Sequence, residues 1–183
     1  MLLSASYPTY DPARYREDFN ELSEADGNPL YDHALLATYA PGSIYKMVTG
    51  VAAMDYAGWG RYRQVTDLGV YTKYADQGYT PACHIWTSSG GTRTHGTVNM
   101  MQALAVSCNY YFYEAGLAVS TEDVDYVAKQ LGLGEPTGVE LPENTGMRAN
   151  AETKAEVYAG SGMEAWVDGD KLQASIGQSL NAF

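Results

Sequence analysis

The sequence predicts a mainly α-helical fold with little sheet. Three observations support this. Apolar residues recur at helical spacing in several separate stretches. Cap residues and glycines bracket those stretches. Runs rich in strand-forming residues are short and broken by turn residues.

Met1–Tyr7 reads as a short strand that ends at Pro8. Residues 11 to 29 are polar and broken, a loop with a helical turn. Leu30–Tyr39 reads as a short helix before the break at Pro41-Gly42. Residues 43 to 57 form the first well-marked helix, closed near Gly58 and Gly60. Val65–Trp86 mixes β-formers with turn residues and reads as extended or hairpin structure, followed by the Ser88-Ser89-Gly90-Gly91 turn.

Thr97–Val106 reads as a helix with Val98, Met101, Leu104 and Ala105 on its inner stripe. A break at Ser107 separates it from a helix over Asn109–Val119. Thr121 is the expected cap of Glu122–Leu131, with Val124, Val127, Ala128 and Leu131 inward. Gly132-Leu133-Gly134 stops that helix. Val139–Leu141 is a short extended piece, Ala151–Tyr158 is helical, and Leu172–Ile176 is a last short apolar element before Gly177. No repeat and no linker divides the chain, so residues 1–183 are expected to form a single domain.

At 183 residues and 45% hydrophobic content, the chain can bury a core. Its net charge of −11, with only 11 Lys and Arg and no run of them, argues against nucleic acid, which needs clustered cations. No segment reads as a membrane span or a signal peptide. The two cysteines, Cys83 and Cys108, read as buried free thiols rather than a disulfide framework. Cys83-His84 lacks a zinc spacing, and His33, His84 and His95 show none either, so a structural role is expected for them. Sixteen tyrosines against three phenylalanines suit half-buried grooves but identify no ligand.

Two motifs carry chemistry. In Pro41-Gly42-Ser43-Ile44-Tyr45-Lys46, Ser43 falls at a helix N-terminus, where free N–H groups favour an oxyanion. Lys46 follows about one turn later on the same face. A desolvated lysine there can lose its proton and activate the serine. Ser-x-x-Lys alone is weak, because serine commonly caps helices. Ser107-Cys108-Asn109 places a hydroxyl and an amide on one inter-helix turn, where they can face one cleft; alone it also reads as a cap.

Together the two motifs, in this order and separation, resemble the penicillin-binding protein transpeptidases. The flanks Ala5-Ser6-Tyr7-Pro8-Thr9-Tyr10-Asp11-Pro12, His95-Gly96-Thr97-Val98, Phe112-Tyr113-Glu114, Leu131 to Gly138 and Ala174-Ser175-Ile176-Gly177-Gln178 extend the resemblance over nearly the whole chain. It is nearest to the class B, monofunctional enzymes of Gram-positive, Firmicutes type. The fold this implies is the helical portion of a transpeptidase-like α+β fold, with most of the central antiparallel sheet missing.

The resemblance implies that Ser43 attacks the carbonyl between the terminal D-alanines of a peptidoglycan stem peptide. Lys46 would take the serine proton, Ser107 would pass a proton to the leaving D-alanine, and Asn109 would orient Lys46 and substrate. An acceptor amine would resolve the acyl-enzyme, and β-lactams would trap Ser43. No metal or organic cofactor is implied. The implied setting is the extracytoplasmic face of the cell membrane, with a membrane-anchored parent protein and partners among cell-division or elongation proteins.

The family's third motif, Lys-Thr-Gly on a central strand, has no counterpart here. Pro136-Thr137-Gly138 and Asn144-Thr145-Gly146 lack the cation, and Val48-Thr49-Gly50 lies in the first helix. The resemblance thus implies a chain truncated before that strand, inactive or nearly so alone, with an unprotected N-terminal edge that invites a strand-mediated dimer. The residues also allow two other readings, a β-lactam sensor or binding module and a non-catalytic helical scaffold. A β-lactamase is disfavoured because Glu135, Glu140 and Glu143 sit near a turn and none can be assigned to deacylation.

Overall fold

The structure is a computed structural model that describes residues 3–183. Its elements are α1 (Tyr15–Glu24), α2 (Lys46–Tyr56), β1 (Gln64–Asp67), α3 (His84–Ser88), β2 (Gly96–Asn99), α4 (Met100–Ala105), α5 (Asn109–Ala118), α6 (Thr121–Gln130), α7 (Ala151–Val157) and α8 (Asp168–Ser175). The fold is mainly helical, as expected. Among the described residues the sheet is one antiparallel pair, β1 with β2, in the register Val65 opposite Val98 and Asp67 opposite Gly96.

α5 is the centre of the core. Tyr110, Tyr111, Phe112, Tyr113, Ala115 and Gly116 are all buried on it, so apolar side chains surround nearly its whole circumference. α2, α8 and β1 pack around it. Small residues let the helices close up. A Cβ added at Gly116 of α5 would meet the Ser175 Cβ of α8 at 2.4 Å. Gly177 lies against the turn that carries Ser43: its carbonyl accepts from the Gly42 N–H at 2.8 Å, and an added Cβ would stand 2.0 Å from the Gly42 oxygen. Its φ of +76° is also in the left-handed region that glycine favours. Thr49 Oγ1 donates to the Ser175 carbonyl at 2.8 Å and ties α2 to the end of α8.

Several elements differ from the sequence expectations. Residues 3 to 7 of the expected N-terminal strand are irregular, and Met1 and Leu2 lie outside the described residues. Residues 3 to 7 thus present no strand edge. Leu30–Tyr39 forms turns, not a helix: Asp32 Oδ1 accepts from the N–H groups of Ala34 and Leu35, closing a local turn that competes with helix. The polar stretch before it holds a full helix, α1, introduced by a 3-10 turn that Asp11 caps.

Thr97–Val106 divides in two. Residues 96–99 pair with β1, and Asn99 caps α4 with a box completed by Gln102. The helix phase therefore starts later: Met100 and Ala103 face the core, whereas Met101, Leu104 and Ala105 are exposed. Ser120, not Thr121, caps α6, in a box with Asp123. Val127 and Ala128 point inward as expected, but Leu131 lies past the last turn and is exposed. Val139–Leu141 forms no strand.

Candidate active site

Two chain breaks meet at the site. The first is the 3-10 turn Gly42–Tyr45 that runs into α2. It leaves Ser43 exposed and turns Lys46 inward, where only 1% of the residue remains accessible. The second is the turn between α4 and α5. Its Ser107 has φ +54°, the N–H of Ser107 reaches the Leu104 carbonyl at 3.2 Å, and that of Cys108 reaches Ala103 at 2.9 Å. This is the paired-bond stop in which glycine usually holds the left-handed position.

The four expected site residues come together. Lys46 Nζ donates to Asn109 Oδ1 at 2.6 Å, to the Ser107 carbonyl at 2.8 Å, to Ser107 Oγ at 3.0 Å and to Ser43 Oγ at 3.2 Å. Ser107 Oγ donates to Ser43 Oγ at 2.9 Å. An ammonium has three protons and here meets four acceptors, so one contact is shared. The Phe112 ring stands 5.8 Å from Nζ. Burial lowers the Lys46 pKa to about 8, against the opposing pull of Cys83 and Cys108. A lysine so placed is neutral in an appreciable fraction of molecules near neutral pH and can accept a proton from Ser43.

Behind the Ser107–Asn109 turn lies a second buried cluster that spacing along the chain did not reveal. The ligand atoms of Asp67, Cys83, His95 and Cys108 all lie within 4.8 Å of one another. Asp67 closes β1, His95 precedes β2, Cys83 caps α3 and Cys108 caps α5. Asp67 Oδ2 is 3.0 Å from His95 Nδ1 and 3.8 Å from Cys108 Sγ. Cys83 Sγ is 3.4 Å from His95 Nδ1 and 3.9 Å from Cys108 Sγ. A tetrahedral zinc site with bonds of about 2.0–2.3 Å has ligand–ligand edges of roughly 3.3–3.8 Å. The four separations, 3.0 to 3.9 Å, straddle that range, with Asp67–His95 shorter and Cys83–Cys108 slightly longer, and the two-sulfur, nitrogen and oxygen donor set suits such a cation. His95 is thus a candidate ligand, contrary to the reading of all three histidines as merely structural.

Burial raises the Asp67 carboxyl, but N–H groups of His95 and Gly69 outweigh it and hold its pKa below the usual value. The Cys83 thiol is pulled down chiefly by its hydrogen-bond contact with Cys108, whose own thiol is pushed up by the same contact. The cysteines are free and buried, as expected.

The family model for the penicillin binding protein transpeptidase domain matches residues 1–183. The chain belongs to that family. Among curated members, it is 28% identical over 184 residues to peptidoglycan D,D-transpeptidase MrdA of Acinetobacter baumannii, covering 97% of this chain and 26% of that protein. Among solved penicillin-binding proteins, it superposes with a TM-score of 0.84 and 26% identity on PBP2 of Helicobacter pylori in complex with MreC, over 99% of this chain and 32% of that one. Penicillin-binding protein A of Mycobacterium tuberculosis, solved as its penicillin G acyl-enzyme, shares the fold with a TM-score of 0.74 and 22% identity, over 98% of this chain and 39% of that one. The chain spans about a quarter of the length of the curated relatives it matches. The expected family holds, while relatives from these three organisms do not single out the Firmicutes type.

Proposed function

We propose that this chain carries the serine–lysine half of the active site of a peptidoglycan D,D-transpeptidase. One observation supports the reading above all: a buried lysine within hydrogen-bond reach of Ser43 Oγ, Ser107 Oγ and Asn109 Oδ1 at once. Neutral Lys46 takes the Ser43 proton as Oγ attacks the carbonyl between the two terminal D-alanines of a stem peptide. Ser107, bonded to both Lys46 and Ser43, hands a proton to the departing D-alanine amine. Asn109 fixes the lysine. An acceptor amine then reverses the path and cross-links two stems. A β-lactam follows the same first step and leaves Ser43 acylated.

The Ser43 N–H supplies one oxyanion donor. The family's Lys-Thr-Gly motif, which there supplies the second donor and binds the substrate carboxylate, has no counterpart in residues 1–183. Loss of one such donor lowers rates roughly 10²–10³-fold, so residues 1–183 alone are expected to react slowly or not at all. A cation held by Asp67, Cys83, His95 and Cys108 would fix the Ser107–Asn109 turn and take no part in proton transfer. Among the described residues no helix is long and apolar enough to cross a membrane. We place the site at the extracytoplasmic face, where stem peptides are, and the MreC complex of the Helicobacter pylori relative supports a partner among cell-division or elongation proteins.

Labelling with a fluorescent penicillin tests this. The intact protein should take covalent label that maps to Ser43, and Ser43→Ala should take none. Label elsewhere, or undiminished label on the variant, would overturn the assignment. Strong label on residues 1–183 alone would overturn the requirement for the third motif.

A further inference from the structure

Ser107 is not alone in left-handed backbone. Among the described residues, the non-glycine positions with positive φ are Asn28, Ser107 and Ser179, the last with φ +62°. Asparagine visits this region readily, and serine does not. Ser107 holds its strain for a hydroxyl that bonds Lys46 and Ser43. Ser179 is exposed and lines a groove of about 510 Å³, and among the described residues its hydroxyl has no hydrogen-bond partner. We propose that this groove receives the peptide that carries the acceptor amine, with the Ser179 hydroxyl as a specificity-determining group. The inference rests on the transpeptidase reading and extends it to the second substrate.

The groove begins beside the nucleophile. Gly177, two residues before Ser179, accepts at 2.8 Å from the Gly42 N–H, in the turn that carries Ser43. Asn181, two residues after it, is 1% exposed and pins the other end. Its Nδ2 donates to the Ala174 and Gln178 carbonyls at 3.1 and 3.2 Å, and its Oδ1 accepts from the Ala149 N–H at 3.1 Å. Held on both sides, the turn keeps Ser179 in a conformation that a free serine leaves.

Gln77, Tyr79, Val167, Asp170 and Gln173 also line the groove. Gln173 Nε2 donates to Tyr79 Oη, which leaves the phenol proton for a ligand. Asp170 is engaged by Lys154 and by the Val167 N–H. The free groups are therefore hydroxyls and amides beside an apolar valine, which suit a peptide. No lysine or arginine is among these lining residues, and the chain carries a net charge of −11. Its field favours a peptide that brings an ammonium over a donor end that brings a carboxylate. In the reaction the ammonium first gives one proton to solvent. The neutral nitrogen attacks the Ser43 ester carbonyl, and the new N–C bond replaces the Oγ–C bond. The proton lost by the nitrogen returns to Ser43 Oγ through Lys46. Water attacking the same ester gives hydrolysis, so a peptide held in the groove tips the outcome toward transfer.

The test compares two acceptors on the intact protein, acylated by a fluorescent peptide ending in D-Ala-D-Ala. One is an N-acetylated tripeptide with a free lysine side-chain amine, long enough to enter the groove. The other is glycinamide, which is too small to fill it. Chromatography reads the ratio of transferred to hydrolysed product, which does not depend on how much acyl-enzyme forms. Ser179→Gly removes the hydroxyl and relaxes the turn, whereas Ser179→Ala removes the hydroxyl and keeps the strain. Both should lower the tripeptide ratio, relative to the glycinamide ratio, roughly three- to tenfold, the effect of one hydrogen bond. Both should also raise the tripeptide concentration that half-saturates transfer. If Ser179→Ala fails to fold, the relaxed Ser179→Gly still decides.

Equal tripeptide ratios in wild type and Ser179→Gly would overturn the proposal. So would an equal fall for both acceptors, which would mean a disturbed Ser43 turn rather than a lost peptide contact. Slower acylation by the donor peptide with unchanged ratios would assign the groove to the donor and overturn the proposal too. All three results leave the transpeptidase reading standing. Absence of any acyl-enzyme at Ser43 in the wild type would overturn that reading, and the proposal with it.

Discussion

Helices α4 and α6 end in the same way, but with different residues at the critical position. After α6, Gly132 has φ +82°, its N–H reaches the Lys129 carbonyl at 2.9 Å, and the Leu133 N–H reaches Ala128 at 3.0 Å. After α4, Ser107 has φ +54° and the same two bonds run to Leu104 and Ala103. Glycine adopts the left-handed region at no steric cost, while an ordinary L-residue there costs about 1–2 kcal/mol. The α6 stop therefore holds the residue that suits the backbone. The α4 stop holds one that suits the site: its hydroxyl bridges Lys46 and Ser43, and its carbonyl takes a third lysine proton. Backbone strain of this kind gathers where a side chain is needed more than a relaxed turn.

The comparison can be pressed hardest at Lys46, the partner that makes the Ser107 hydroxyl worth its strain. Lys46→Met keeps the stem and removes the base. Acylation of Ser43 by a penicillin is expected to fall by about 10⁴-fold, the upper range for losing a general base. Stopped-flow or gel-based labelling measures it, with circular dichroism to confirm the fold. A loss under tenfold would mean that another group deprotonates Ser43, and the strain at Ser107 would need a different reason.

Ser107→Gly tests the turn directly, because its two effects have opposite sign. Removing the hydroxyl should slow acylation by about 10²-fold. Removing the Cβ from a left-handed position should raise stability by about 1 kcal/mol. Urea midpoints and labelling rates on one preparation would separate the two. If both fall together, the serine serves the fold rather than the reaction.

How far these features could be read beforehand depends on where their parts lie in sequence. Ser43 and Lys46 are one helical turn apart, so local spacing alone brings them together. Ser107 and Asn109 are two apart on a break, and their meeting with Lys46 was readable only through family resemblance. Asp67, Cys83, His95 and Cys108 are each separated from the next by a dozen residues or more. Only the β1–β2 pairing and the caps of α3 and α5 gather them, and no periodicity in sequence signals that. The helices with long apolar faces were legible. The inner stripe of residues 97–106 was not, because the Asn99 cap changes the period from two to 3.6 in mid-segment.

A pH profile is the next finer probe. Lys46 must be neutral to accept the Ser43 proton. With its pKa lowered to about 8 by burial, the neutral fraction grows about tenfold per pH unit below that value and levels off above it. The acylation rate constant should follow the same curve. An exposed lysine would still be rising well above pH 8, toward its ordinary 10.5. A profile with no break near 8 would show that Lys46 is not held dry by the Ser107–Asn109 turn.

The smallest expected effect is at the other helix end. Gly132→Ser places at the α6 stop the residue that α4 already carries. No atom lies within 4 Å of where the new Cβ would stand, so only backbone strain opposes the change. Stability should drop by about 1 kcal/mol, with no gain elsewhere, since no lysine waits there for a hydroxyl. Penicillin labelling should be unchanged. A drop well above 2 kcal/mol would mean that the turn after α6 carries strain of its own. No drop at all would mean that serine sits in this turn without penalty, and Ser107 would then lose its standing as a residue kept for its side chain.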